Sequence, residues 1–173
     1  MGSILDVIRE RRSVRQMKSD PIPDEVLNSV LEAARLAPSW ANRQCWRFIV
    51  VKDEATRMAL AKAGGARKAM TSAPVIIVAA AIPTESGVRD GLEYFMLDMG
   101  IGVEHLILEA TAQGLGTCWV GFFKEDVARE AVNLPENMRI VAMVPLGYPA
   151  EVPPPQPRLR MEEIVFYDRC PAQ

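Results

Sequence analysis

A single histidine, His105, stands among the 173 residues. A histidine-based metal centre or a Ser-His-Asp triad would rest on that one side chain. Cysteine is scarce as well. Cys45, Cys118 and Cys170 are odd in number, too few and too scattered for a disulfide framework or a zinc site. Neither sign of charge dominates: 20 Lys and Arg stand against 22 Asp and Glu, mixed along the chain, for a net charge of -2. No broad basic field is offered to nucleic acid or to an anionic membrane, so any anion site must be local. No apolar run approaches the roughly 20 residues of a membrane span. Met1 to Arg15 carries Asp6, Arg9, Glu10, Arg11 and Arg12, and holds no apolar core of signal-peptide length. With the odd cysteine count, the expected location is the reducing cytoplasm.

What is present is an ordinary globular composition, 49% hydrophobic and 24% charged. It fits one domain over residues 1–173 with a single core. Ser3, with Asp6 three residues on, can cap a helix that ends near Arg11–Ser13. Val26, Leu27, Val30, Leu31 and Ala34 predict a second helix from Pro23 or Asp24 to about Leu36, stopped by Pro38. Trp46–Val51 reads as a strand and Asp53–Ala63 as a helix closed by Gly64 and Gly65. The continuous apolar run Pro74–Ala81 reads as a strand buried on both faces. A long helix is predicted over Val88–Gln113, a short strand over Thr117–Gly121, a helix over Lys124–Val132 and a strand over Met138–Gly147. Five prolines in Pro149–Pro157 disfavour helix and central strand, so residues 149–173 are expected as an extended tail. Helices separated by single strands suggest an α+β or α/β fold with one sheet between helices.

Four stretches bear on chemistry. In Arg11-Arg12-Ser13-Val14-Arg15 an extended backbone would bring Arg11, Ser13 and Arg15 to one side. Guanidinium forks match a phosphomonoester; a solvated basic helix end is the alternative. The loop Ala37-Pro38-Ser39-Trp40-Ala41-Asn42-Arg43-Gln44-Cys45-Trp46 concentrates small, amide and aromatic residues. Asn42 and Gln44 could meet a heterocycle edge and Trp40 and Trp46 could flank its plane, or the loop could be a turn anchored by two tryptophans. In Gly114-Leu115-Gly116-Thr117-Cys118-Trp119-Val120-Gly121 the last glycine would let backbone N–H groups approach a ligand. Arg158 and Arg160, after the proline tail, could close on the same phosphate as Arg11 and Arg15, or be solvated.

Taken in order, RRSVR (11–15), APSWANRQCW (37–46), SAPVIIVAA (72–80), QGLGTCWVGFF (113–123) and LGYPAEVPPPQPRLRMEEI (146–164) resemble the nitroreductase family. The resemblance runs from about Ile4 to Tyr167. It implies an α+β fold with a mainly antiparallel sheet flanked by helices, closed into an intertwined homodimer with two FMN sites at the interface. It implies that Arg11, Ser13 and Arg15, helped by Arg12, hold the phosphate, ribityl chain and one ring edge, and that Arg158 and Arg160 complete the phosphate site. Pro38, Ser39 and Asn42 would come from the other protomer, and Trp40 and Gln44 count among the cofactor residues. Cys118 and Trp119 would adjoin the flavin, and the backbone of Val120 and Gly121 would face its N5. The implied reaction carries reducing equivalents from NADH or NADPH through the flavin to a small electron-poor acceptor such as a nitroaromatic or quinone, with ping-pong kinetics. No side chain is then required as general acid or base, since the flavin supplies the chemistry. Arg15 is the first choice for the cation near the N1–C2 edge. The sequence departs from the family pattern at Gln156, where a basic residue is frequent, and at Cys45, where a proline is frequent before Trp46. Gly65–Lys68 lacks an expected amide residue, and the segment between the 74–81 strand and the long helix is short.

His105, flanked by Val103, Leu106 and Ile107, reads as a packed or interfacial residue. Cys118 reads as core, and Cys45, lacking a CxxC partner or adjacent histidine, as packing. On the long helix, Leu92, Phe95, Met96, Met99, Val103, Leu106, Ile107 and Ala110 form one apolar stripe, and Tyr94, Leu97, Ile101 and Leu108 another. Two stripes mean burial on both sides, one against the chain's own sheet and one against a partner helix, with Gly100 and Gly102 allowing close approach. The competing functional reading is a non-catalytic FMN-binding protein for storage or sensing, separated from an enzyme by reduction with NADH or NADPH and reoxidation by an acceptor.

Overall fold

The computed structural model describes residues 3–170. Residues 1–2, and the last three residues of the predicted tail, lie outside the described part. In chain order the elements are α1 (Ile4–Glu10), α2 (Asp24–Arg35), β1 (Trp46–Val51), α3 (Glu54–Lys62), α4 (Arg67–Ser72), β2 (Val75–Ala81), β3 (Val88–Arg89), β4 (Leu92–Glu93), α5 (Tyr94–Ala112), β5 (Gly116–Thr117), α6 (Glu125–Ala131), β6 (Arg139–Gly147) and α7 (Met161–Ile164). Short 3-10 turns stand at Trp40–Asn42 and Pro83–Glu85.

The apolar run of β2 is buried along its whole length. Its two-residue period deals it out between two cores. Val75, Ile77, Ala79 and Ala81 join Leu27, Val30, Phe95, Met99, Val103 and Leu106. Ile76, Val78 and Ala80 join Val14, Leu60, Ala69, Met70 and Ala128. The sheet therefore lies between α2 and α5 on one side and α3, α4 and α6 on the other. Its strand order is β1-β2-β6-β5, every pair antiparallel. A register shift at Ala79/Ala80 marks a bulge against β6. This is the α+β, mainly antiparallel arrangement that the resemblance implied.

Local chemistry sets the helix ends. The Ser3 hydroxyl accepts from the Asp6 N–H while the Asp6 side chain accepts from the Ser3 N–H, a reciprocal cap on α1. Asp53 caps α3 by accepting from Thr56 N–H at 2.8 Å. Beyond Glu10 the chain extends. Ser13 bridges Thr117 in parallel and Met17 bridges Pro149 in antiparallel sense, so residues 13–17 run beside the far end of the sheet.

Several expectations are corrected. The helix predicted from Val88 begins at Tyr94, because β3 and β4 form a hairpin instead. Asp90 and Gly91 at its tip have φ of 52° and 79°, the two left-handed residues of a tight hairpin turn, and Asp-Gly is the dipeptide that tolerates them. Leu92, placed on the first apolar stripe, falls in the hairpin and is exposed, and Met96 of the same stripe is exposed on α5. The strand predicted over Thr117–Gly121 shrinks to β5 and one further bridge, Val120 to Met143. α4 and α7 were not anticipated. Gly102 packs inside the chain, where an added Cβ would lie 3.5 Å from the Trp46 ring, whereas Gly100 faces open space. Of the described helices none is long and apolar enough to cross a membrane.

Candidate functional site

The extended exit from α1 and the proline tail enclose a cavity of about 620 Å³. Its lining includes Arg11, Arg12, Ser13, Arg15 and Arg158, together with Ile8, Arg9, Pro153, Pro154, Pro155 and Gln156. Sequence reasoning proposed the first five and omitted Arg9 and the prolines as wall. The geometry explains the convergence. The bridge from Ser13 to Thr117 fixes residues 11–15 along the sheet edge, and the bridge from Met17 to Pro149 starts the tail next to them. The chain thereby folds residues 153–158 back over the arginines.

The guanidiniums are not equivalent. Arg12 donates to the backbone carbonyls of Arg9 and Arg11, so it caps the end of α1, which is the helix-end alternative for this residue. Arg11 has a carboxylate, Glu104 of α5, only at 4.0 Å. Burial raises the Glu104 pKa, with Arg11 and then His105 pulling it back. Arg15 and Arg158 donate only to nearby backbone carbonyls, of Ser13 and of Gln156 and Pro157 respectively. Among the described residues neither has a carboxylate within salt-bridge distance. Five guanidiniums thus line one cavity. Arg9 has Asp6 at 3.7 Å and Arg12 is engaged with carbonyls. Arg11, Arg15 and Arg158 have among them only Glu104 at 4.0 Å, a strongly anion-seeking arrangement. Arg160 does not line it. That guanidinium pairs with Glu162 and Glu163, each at 3.3 Å, around the start of α7.

The loop after α2 stands elsewhere. Pro38, Ser39, Trp40, Asn42 and Gln44 are absent from the cavity wall. Ala41, Asn42 and Gln44 all have positive φ, at 47°, 56° and 53°. Such backbone persists only where its surroundings hold it. The Ser39 hydroxyl accepts from Gln44 N–H at 2.9 Å, and the Gln44 side chain donates to the Asn42 carbonyl at 3.2 Å. Trp40 is tilted against Tyr94 with ring centroids 6.3 Å apart, and the Arg43 guanidinium stands 5.8 Å from the Trp40 ring. Cys45 is fully buried, and its thiol is pushed up to about 11 by burial first and then by the Asp98 carboxylate, so it is packing and not a nucleophile. Asp98 itself was missed. The available signal was an acid placed three residues from Phe95 and five from Val103 on the buried stripe of α5.

Cys118 and Val120 are buried, while Trp119 and Gly121 are exposed. Burial raises the Cys118 pKa and Arg15 lowers it in part, which sets Arg15 near this strand. Val120 N–H already donates to the Met143 carbonyl at 2.9 Å. Among the described residues the Gly121 N–H has no such acceptor. A larger depression of about 650 Å³ lies between α2 and β1, but its facing charges, Lys52 and Asp24, neutralise each other at 2.7 Å.

An antiparallel α+β domain with a cationic cavity at one end of its sheet is therefore the class of protein in hand. The chain belongs to the nitroreductase family, whose model matches residues 8–66 and 61–148, and it is an oxidoreductase of that family. An NADH dehydrogenase from Thermus thermophilus is 33% identical over 91% of this chain and 92% of its own. A nitroreductase family protein from Clostridium difficile 630 superposes with a TM-score of 0.89 at 29% identity, covering 98% of this chain and 100% of that one. An FMN-dependent nitroreductase from Clostridium difficile R20291 superposes with a TM-score of 0.84 at 25% identity, covering 95% and 99%.

Proposed function

We propose that the protein is a homodimeric FMN-dependent oxidoreductase that takes reducing equivalents from NADH or NADPH and delivers them to a small electron-poor acceptor such as a nitroaromatic or quinone. The observation that carries this reading is the convergence of Arg11, Arg15 and Arg158 on one cavity with no carboxylate in close contact. A phosphate dianion meets that donor set well, since guanidinium offers paired N–H groups to two oxygens at once. FMN has such a phosphate, and a related structure is named as FMN-dependent. Arg11, Ser13, Arg15 and Arg158 would hold it.

FMN when bound supplies the two-electron chemistry. The chain supplies position and electrostatics. Arg15 follows the backbone bonds of Ser13 and Val14 to Thr117 and provides a positive charge near that strand end. Gly121 offers an uncommitted backbone N–H, whereas Val120 has spent its own on Met143. Trp40 and Trp119 are both partly exposed and offer apolar faces that can exclude water, whereas Trp46, expected to flank a ring with Trp40, is buried in the core.

Three features favour two chains per site. The loop carrying Ser39 and Asn42 does not reach the cavity of its own chain. α1 is rich in apolar residues yet buries none of them, with Ile4 77% exposed. On α5 Leu97 is 57% exposed while Ile101 and Leu108 are only half-buried, and Phe122 is 89% exposed. Exposed apolar side chains in this number favour an interface. The deciding experiment is spectroscopic. The purified protein should be yellow, should bleach with NADH or NADPH, and should regain its absorbance when an acceptor is added. Binding of FMN without bleaching by either nucleotide would instead make it a storage or sensing protein.

A further inference from the structure

Asp98 is a carboxylate on α5 that is only 2% exposed, with Phe95, Met99 and Gly102 around it on the helix. A charge so placed persists only if its oxygens are satisfied. Its three donors come from two separate segments. Trp40 N–H donates to Oδ1 at 2.7 Å. The Ser86 hydroxyl donates to Oδ2 at 2.7 Å, and the Cys45 thiol reaches the same oxygen at 3.6 Å. Trp40 and Cys45 bracket residues 41–44, three of which hold positive φ without being glycine. One buried carboxylate thus grips both ends of a strained loop, and through Ser86 it also ties the segment that leads into the β3–β4 hairpin.

We propose that Asp98 is a positioning residue for flavin binding: gripped by Trp40, Cys45 and Ser86, it fixes the 39–44 loop in the one conformation that presents Ser39 and Asn42 to the cofactor. This rests on the reading above, that the loop meets the flavin. Nothing in residues 41–44 prefers the left-handed region strongly, apart from Asn42. Without the anchor the loop relaxes toward ordinary backbone angles. Its ligand groups then occupy the binding geometry only part of the time, and affinity falls by that fraction.

The test is Asp98→Asn in the full-length protein, read by amide hydrogen exchange and by binding of FMN and of riboflavin. The amide keeps the size of the side chain but replaces one acceptor oxygen with a donor that cannot receive its partner. Exchange at Trp40 and Gln44 should accelerate by roughly tenfold or more while the β2 amides stay protected. Affinities for FMN and riboflavin should fall together, by about tenfold, leaving their ratio unchanged. Arg11→Ala should instead collapse that ratio, because it touches only the phosphate. Ser86→Ala, which removes one donor and leaves two, should give a smaller effect of the same pattern and serves if Asp98→Asn does not fold. A folded Asp98→Asn protein with unchanged loop exchange and unchanged flavin affinity overturns the proposal. So does a loss of affinity accompanied by lost protection in β2, since that is general destabilisation. Wild-type protein that binds neither flavin, with exchange at Trp40 still accelerated in the variant, overturns the flavin reading itself and leaves Asp98 as a loop anchor alone.

Discussion

At the cavity beside α1, Arg11, Arg15 and Arg158 share a wall with only one carboxylate among the three, Glu104 at 4.0 Å from Arg11. In the loop between α2 and β1 one carboxylate faces three donors, two of them at 2.7 Å. The first region is unsatisfied and the second is saturated. An unsatisfied cluster of like charge costs stability and gains only when an anion arrives. A saturated buried charge contributes nothing to ligand charge balance, but it fixes shape. On the proposed function the pair would divide the work of holding a phosphorylated cofactor: one region would supply affinity for the phosphate and the other a loop of fixed form. The two regions lie on different parts of one chain, and under the proposed function a second copy would bring them together.

The most severe way to break this pairing is to separate the copies. Leu97→Glu places a charge on the open face of α5, where a lone chain would tolerate it in solvent. Across a dimer interface the same charge is desolvated at a cost of several kcal/mol, about enough to dissociate the dimer at micromolar concentration. Sedimentation velocity should show a folded monomer, and the protein should purify colourless.

Removing single cations breaks only the first region. Each charge-assisted bond typically adds about 1.5–3 kcal/mol, so Arg11→Ala or Arg158→Ala should weaken FMN binding by roughly one to two orders of magnitude in a fluorescence titration. Riboflavin should lose much less. A smaller perturbation strikes the second region. A Cβ at Gly87 would sit 2.5 Å from the Trp40 ring, so Gly87→Ala must push the indole aside. Overpacking of this kind costs about 1–3 kcal/mol, seen as a lower Tm and a shifted tryptophan emission.

Two predictions carry small effects. Cys45 has its thiol pushed up to about 11, and burial also raises Cys118, whereas Cys170 is exposed. A raised thiol pKa means the unreactive protonated form at about pH 8, so a disulfide reagent should titrate one thiol quickly and the other two only on unfolding. Rapid reaction of Cys45 in folded protein would show that the loop opens. His105→Gln should leave turnover within about a few-fold, because a flavin enzyme of this design needs no side-chain base.

The saturated and unsatisfied regions were not equally legible in the sequence. β2 could be read from composition alone, since eight apolar or small residues in a row suit a strand covered on both faces. RRSVR could be read too, because a helix end followed by extended backbone fixes which side chains share a side. Asp98 could not, since an acid in a helix is ordinarily solvated and only the tertiary fold reveals three donors around it. Arg12 and Arg160 were counted with the phosphate residues because composition does not tell a guanidinium engaged by helix-end carbonyls or by carboxylates from one that is free. The β3–β4 hairpin was obscured by a helical apolar period that ran through Leu92, although Asp90-Gly91 carried the turn chemistry. The second apolar stripe of α5 was legible as excess hydrophobicity, and the structure leaves Leu97 exposed on it, whereas the bare apolar residues of α1 were not anticipated.

Mixing two complementary variants tests most directly whether one site is shared between two chains. One chain carries Arg11→Ala, the other Asn42→Gly, a change the left-handed φ of 56° tolerates. In a shared site the mixed dimer rebuilds one intact site, from the unaltered cavity of one chain and the unaltered loop of the other. It should regain high-affinity FMN binding at half the wild-type stoichiometry. If the site lies within each chain, every site in the mixture still carries a defect. Affinity no better than that of either variant alone would contradict the two-chain site.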